Sequence, residues 1–436
     1  MKDAAPRDCI AWGRLPAPAP QTLALHHRDA MLPDGAAPLL AYGMGRSYGD
    51  VCRNDDGLLL ATRGLDRYLA FDTERGELSC EAGVTLAEIL DFAVPRGWFL
   101  PVTPGTALAT VGGAIANDVH GKNHHRAGSF GNHLIEFELL RSDRGRLRCA
   151  PDEHPELFGA TIGGLGLTGL ILSARLQLRR IAGPWLRGDS LRFANLAEFF
   201  ALAQASNDAC EYSAAWIDCL ARGAALGRGV LLRANHAQDR DPAPSPRAVT
   251  VPLTPPFALI NRYSLAAFNA AYFHRPSAQQ TAARWAWQPF LYPLDTVRDW
   301  NRIYGPRGFY QYQCVLPPAV AQDALSEMLR RIAASGQGSF LSVLKLFGAR
   351  ASPGWLSFPR PGVTLALDFP NCGAKTLRLL DTLDTVTMQA GGAVYPAKDA
   401  RMSPEMFRLS FPRWQTFAAQ LDPRFSSSFW RRVAGS

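Results

Sequence analysis

Apolar and polar positions change period several times along the chain, and each change predicts an element. Residues 37–42 form a short apolar run closed by glycines, the pattern of a buried strand. Residues 68–73 and 77–81 alternate at period two and predict a hairpin. At Thr85 the period lengthens. Thr85-Leu86-Ala87-Glu88 is a capping box, and Leu86, Ile89, Leu90 and Ala93 make the apolar stripe of a helix that Pro95 and Gly97 end. Residues 134–140 and 146–149 predict another strand pair, 155–158 a short helix and 170–178 a strand. Residues 1–35 are expected to form an arm and a helix, anchored by Trp12 and Leu25.

Near Gly183-Pro184 the composition shifts, and most of the tryptophans lie beyond that point. Residues 212–218 alternate as a strand, and 310–315 put Gln311 and Gln313 on one face at period two. Residues 340–347 are an apolar strand with one lysine, Lys345, which needs an anionic partner or a solvent-filled pocket. Residues 391–399 predict a strand end that carries Lys398, then a helix with Pro404 at its first position. Phe407, Phe411, Trp414 and Phe417 recur at helical spacing as core residues. The proline-rich, charged stretch 236–256 reads either as a mobile loop over a pocket or as a disordered insertion. Together these elements mix strands and helices, and residues 185–392 read as a second domain.

Composition narrows the picture without naming a function. A chain of 436 residues, 47% hydrophobic and 19% charged, is globular and too long for one ordinary core. No apolar run reaches the ~18 residues of a membrane span, and the first residues lack the apolar core of a signal peptide. Eight scattered cysteines without a C-x-x-C pair suit free thiols, so a cytoplasmic setting is expected. The net charge of +8 favours an anionic cofactor, substrate or membrane face over nucleic acid, because the basic residues are dispersed and no nucleic-acid motif occurs.

The chemistry concentrates in residues 102–133, which hold six glycines, four histidines and one lysine. Pro104-Gly105-Thr106 is a turn, and Thr110-Val111-Gly112-Gly113 looks like a capped helix start that offers free N–H groups to an anion. A polar cluster comes next: Asn117, Asp118, His120, Lys122, Asn123, His124 and His125. A metal centre is disfavoured there, because no acidic or cysteine partner stands at ligand spacing. A second cradle stands just after the first strand, Gly43-Met44-Gly45-Arg46-Ser47-Tyr48-Gly49-Asp50. Gly164-Leu165-Gly166-Leu167-Thr168-Gly169 fits the nicotinamide fingerprint in letters only. It comes after a helix and opens a strand, the reverse of what that fingerprint requires, and is read as a close backbone approach to a different dinucleotide.

These segments resemble, in order and nearly end to end, the flavin oxidoreductases of the vanillyl-alcohol-oxidase type. The block H-G-K-N-H-H resembles the subgroup that oxidises a polyprenyl-phosphoryl ribose. The resemblance implies an α+β FAD-binding domain over 5–183, a substrate domain with an antiparallel sheet over 184–392, and a C-terminal segment, 393–436, that returns to the first. It places Gly43, Gly45, Arg46, Ser47, Tyr48, Gly49, Asp50, Gly105, Thr110, Val111, Gly112, Gly113, Asn117, His120, Ile171 and Tyr395 at the cofactor. It places Lys122, Trp216, Gln311, Gln313, Lys345, Phe347 and Lys398 at the substrate, with Lys398 and His120 as the catalytic pair, and no metal. FAD should be non-covalent, since Arg46 stands where the wider class can carry a flavin-linked histidine. The implied reaction turns the sugar 2-hydroxyl into a ketone, the first half of an epimerisation towards an arabinose donor for envelope or surface glycans. An NAD(P)H-dependent short-chain reductase would complete it, at the inner face of the membrane. Three positions depart from the subgroup: Ala366 replaces a cysteine, Thr364 an asparagine and Leu291 a tyrosine. A soluble alditol or aldonolactone oxidase of the same class is the alternative, and a non-catalytic basic binding protein the third reading.

Overall fold

The computed structural model describes residues 9–244 and 247–435. Three of the five sheets among the described residues carry most of the chain. Gln21–Ala24, Leu58–Ala61 and Leu39–Tyr42 lie side by side as a small parallel sheet. Five antiparallel strands make the second, in the order Tyr68–Asp72, Glu77–Glu81, Leu170–Gln177, Leu134–Arg141, Gly145–Cys149. The largest sheet has eight antiparallel strands, in the order Gln280–Ala286, Trp185–Phe193, Gly229–His236, Tyr212–Ile217, Val343–Phe347, Gly362–Pro370, Phe309–Leu316, Ala393–Val394. Strands and helices mix without the strict alternation of a doubly wound fold, so the class is α+β.

Local signals explain most elements. The capping box at Thr85 forms with both of its hydrogen bonds, and the helix Leu86–Ala93 buries the four residues of its stripe. Each such aliphatic side chain contributes roughly 1.5–3 kcal/mol when fully buried. Gly97 closes that helix at φ +77°. The helices Leu196–Asn207, Ala321–Ser335 and Ala374–Gln389 share one core with the eight-stranded sheet. Tyr212–Ile217 is therefore buried along its whole length rather than alternately. Phe407, Phe411 and Phe417 are buried as expected, but Phe407 and Phe417 stand on two short helices, Pro404–Ser410 and Trp414–Ala418, with Phe411 capping the first and Trp414 half-buried.

The N-terminal arm differs from expectation. Residues 21–24 are a strand and not a helix, because Pro16, Pro18 and Pro20 hold the preceding chain extended. Residues 1–8 lie outside the described residues. The proline-rich loop is tied down: Asp241 pairs with Arg284, and Val249–Thr250 pairs with Val297–Arg298. Ser245 and Pro246 lie outside the described residues. The C-terminal segment serves two neighbours at once. Val394 joins the large sheet beside Cys314, while Phe425 bridges to Leu39 and Arg432 reaches both Asp50 and Asp399. Among the described residues no helix is long and apolar enough to cross a membrane.

Candidate active site

A cavity of about 760 Å³ opens between the glycine-rich loops and one face of the eight-stranded sheet. That volume lies within the ~300–1,000 Å³ of small-molecule and cofactor sites. One side of it is mainly backbone. Gly43, Gly45, Arg46, Ser47 and Tyr48 line it with Gly105, Thr110, Gly112, Gly113, Asn117, Gly166, Gly169 and Ile171. Gly45 has φ +60°, and a Cβ there would stand 2.1 Å from the Tyr42 hydroxyl. At Gly49 a Cβ would stand 1.9 Å from the Asp399 carbonyl oxygen, so only glycine lets the loop meet the segment that carries Lys398. The Tyr48 N–H donates to Ala397 O at 2.9 Å across the same junction.

The expected helix-start anion site does not form as drawn from sequence. Thr110 does cap Val111–Ala116, but in doing so it takes the Gly113 N–H, while Val111 N–H donates to Val84 O and Gly112 N–H to Ala82 O. Those donors are spent inside the protein. The segment offers closeness of approach, not N–H groups. Val111 itself is buried behind the cavity wall.

The other side is built of polar and ionisable side chains from strands, a loop and a 3-10 turn. His120, which is buried, has Gln313 Nε2 3.0 Å from its Nε2 and Lys345 Nζ 3.2 Å from its Nδ1. Gln313 also donates to Thr364 Oγ1 at 3.1 Å. Two residues earlier on the same strand face, Gln311 donates to Asp368 Oδ1 at 2.6 Å. Lys122 Nζ donates to Leu291 O at 2.7 Å, and Lys398 Nζ sits over the Tyr48 ring at 4.0 Å. Arg46 lies over Trp12 at 4.3 Å. Tyr395 donates its hydroxyl to Asn117 O at 2.8 Å, and Trp216 donates to Phe340 O at 3.0 Å.

Burial sets the charges on this wall. It lowers Lys345 to about 7, helped by Lys122 and Lys398, and lowers Lys122 to about 8 against the pull of Asp295. His120 is held well below its ordinary value, first by burial and then by Lys345, so it is neutral. Asp368 is raised by burial, against Gln311 and Lys398; Lys398 is lowered by burial, with Asp368 opposing. A neutral imidazole offers one donor and one acceptor. With Lys345 protonated, Nδ1 must accept, which leaves the ring proton on Nε2 and turns the Gln313 amide oxygen towards it. With Lys345 neutral the chain of bonds can reverse.

Not every expected site residue reaches the cavity. The Asp50 carboxylate accepts from Arg432 Nε and Nη2, each at 2.8 Å, so it braces the cradle loop from behind, with Gly49 beside it. Phe347 packs against the His120 ring at 4.7 Å between centroids and fixes its plane without lining the space. His124 accepts from Gly348 N–H and His125 bonds Cys210 O, so both tie loops together. Asp118, wholly buried, accepts from Gly131 N–H at 2.8 Å, Ser352 Oγ at 2.6 Å and Ser357 Oγ, and anchors the whole polar loop.

Sequence reading missed two carboxylates, Asp368 and Asp295. Asp368 stands in Leu365-Ala366-Leu367-Asp368-Phe369, and a lone charge in an apolar strand is the signal that singled out Lys345. Asp295 lines the cavity and accepts from Ala107 N–H at 2.7 Å; nothing in its local sequence marks it.

Two features bear on whether the cavity suits a dinucleotide flavin. Gly105 faces open space where a side chain would stand, and the buried Asn117 Oδ1 has no partner among the described residues. Both fit a polar group entering from the cavity, so the residues present fit FAD. Fold and cradle thus define a flavin-dependent oxidoreductase. Residues 33–150 match the FAD binding domain family. The chain is 36% identical over 92% of its length, and 90% of the relative's, to decaprenylphosphoryl-beta-D-ribose oxidase of Mycolicibacterium smegmatis. It is 36% identical over 80% of its length to an uncharacterized Streptomyces coelicolor protein that it covers in full. Cytokinin dehydrogenase 8 of rice is 28% identical over 36% of the chain. The chain belongs to the FAD-binding oxidoreductases of the vanillyl-alcohol-oxidase type, in the family that includes the mycobacterial ribose oxidase.

Proposed function

We propose that the protein oxidises the 2-hydroxyl of a polyprenyl-phosphoryl β-D-ribofuranose to the 2-keto sugar. A short-chain NAD(P)H-dependent reductase would return the ketone as the arabino epimer for envelope or surface glycan synthesis. The observation that carries the reading is the cationic wall. Lys122, Lys345 and Lys398 line one cavity; their direct contacts are a carbonyl, an imidazole and an aromatic face, while Asp295 and Asp368 favour the charged forms of Lys122 and Lys398. Among the described residues, three lysines against two carboxylates leave surplus positive charge that suits an anionic substrate better than a free alditol.

Bound FAD would supply the acceptor for the hydride from the sugar carbon. The protein's part is placement and proton handling. As the neutral amine that burial favours, Lys398 takes the hydroxyl proton; as the ammonium that Asp368 favours, it instead holds the alkoxide oxygen. His120 makes the second polar contact. Gln311 and Gln313 orient sugar hydroxyls, Lys345 and Lys122 take the phosphate, and Trp216 offers an apolar face. FAD is held non-covalently, since residues 43–50 contain no histidine. The division into 5–183, 184–392 and 393–436, and a site of action at the inner membrane face, belong to the same proposal.

The test is an anaerobic visible spectrum before and after a short-chain prenyl-phosphoryl ribose. Bleaching by that compound and not by free ribose supports the reading. Bleaching only by free polyols would replace it with an alditol or aldonolactone oxidase. Release of the flavin on acid precipitation checks the non-covalent mode.

A further inference from the structure

The 53 residues 242–294 contain no Asp or Glu, in a chain that carries 38. Within and beside this run lies a concentration of exposed apolar side chains. Val249 is 67% exposed, Leu253 64%, Phe257 66% and Tyr263 75%, with Leu259, Phe268 and Val297 exposed beside them. They are neighbours in space. Val249 is paired with Val297, Leu259 N–H donates to Ile303 O, and Arg302 Nη1 donates to Val251 O at 2.8 Å.

The helix Arg262–His274 continues the surface. It buries only Leu265 and Asn269, and its solvent side is Tyr263, Ala266, Ala267, Phe268, Ala270 and Ala271. Its one Lys, Arg, Asp or Glu is Arg262, at its first position. A solvated helix ordinarily carries charges along its exposed face. Exposed apolar patches of this kind mark contact with a partner or a membrane.

The fixed charges around the patch are mainly basic: Arg247, Arg262, Arg275 and Arg298, while Asp299 is paired to Arg302 and Asp295 accepts from Ala107 N–H. Val297 and Arg298 both belong to the patch and line the cavity, so the surface runs into the cavity mouth.

We infer that residues 247–275, together with Val297 and Arg298, dock the protein on an anionic lipid bilayer with the cavity mouth facing the membrane. Apolar side chains enter the headgroup layer while the arginines meet lipid phosphates, the arrangement of an interfacial protein rather than a spanning one. The inference rests on the proposed lipid-borne substrate for its purpose, since a prenyl tail could then stay in the bilayer while the sugar reaches Lys398. Docking itself needs no substrate.

The experiment is co-sedimentation of the FAD-loaded protein with vesicles of equal parts phosphatidylglycerol and phosphatidylcholine, and with pure phosphatidylcholine. The wild type is expected to partition to the anionic vesicles and to be weakened by salt. Phe257→Asp with Tyr263→Asp should cut that partition roughly tenfold and leave flavin content and turnover of a water-soluble short-chain substrate unchanged. No vesicle binding, or binding indifferent to the two substitutions, overturns the inference. Self-association of the wild type relieved by the same substitutions also overturns it, in favour of a protein partner. If short-chain prenyl-phosphoryl ribose is not turned over, the substrate reading fails alone and the vesicle result still stands or falls separately.

Discussion

The two sides of the cavity are made of different material. The cradle side is glycine and backbone, built of short segments each marked locally in the sequence, and at Gly43, Gly45 and Gly49 its shape is fixed by contacts that tolerate no Cβ. The sheet side is lysine, glutamine and aspartate from strands within residues 309–370, met by His120 from a loop 193 positions before Gln313 and 225 before Lys345. Backbone can accept a cofactor but cannot titrate. Side chains under strong burial can hold or move a proton, at the cost of a charge that needs partners. The difference predicts that damage to one side loses the flavin, whereas damage to the other loses turnover with the flavin retained.

The largest expected effect is on the sheet side. Lys398→Ala should cut turnover by roughly 10²–10⁴-fold, the range for losing a positioned proton-transfer group, with bound FAD unchanged by absorbance. A colourless variant would make Lys398 structural and erase the distinction. Arg46→Ala tests the other side. Losing one charge-assisted contact should weaken FAD retention by about 1.5–3 kcal/mol, read by flavin titration, with turnover at saturating FAD less affected. Unchanged flavin affinity would remove Arg46 from the cradle.

Asp368→Asn removes the anion that favours charged Lys398 while keeping a group for Gln311. Without that anion the ammonium loses its proton at lower pH, so the limb of the kcat–pH profile set by Lys398 should move to lower pH. Turnover at neutral pH should change about tenfold, the scale of one pKa unit. A uniform loss across all pH values would mean only that the strand had been disturbed.

The legibility of the site in sequence divides along the same line. Cradle glycines are legible because a turn, a positive φ or a close approach leaves a local mark, and the capping box at Thr85 is equally local. Gln311 and Gln313 were legible through strand periodicity. What sequence could not show is which N–H groups are already taken. The donors of Val111, Gly112 and Gly113 go to Val84, Ala82 and Thr110, and the first two of these bonds are set by tertiary packing. Asp295 was unreadable for the same reason, since its partner Ala107 is 188 positions away. Asp50 was misplaced because Arg432, near the other end of the chain, claims it.

The smallest effect is also the most diagnostic, because Lys345 should work through its proton. Burial brings its folded value down to about 7, whereas an unfolded lysine titrates near ~10.4. Between those values the unfolded chain binds more protons than the folded one, so this group's contribution to stability rises with pH from about 7 upward and is least favourable below it. An anionic ligand beside the amine favours the charged form and raises that value again. Binding of a prenyl phosphate at pH 8 should therefore take up a fraction of a proton. Calorimetry in two buffers of different ionisation enthalpy would measure it. KM should rise a few-fold above pH about 7, where the free amine must first be protonated, while kcat moves less. Lys345→Gln should abolish the proton uptake and flatten the KM profile, with FAD retained. Uptake that survives in the glutamine variant would transfer the phosphate to Lys122, whose own value burial brings down to about 8. Uptake absent from the wild type would mean that the cationic wall does not receive the phosphate at all.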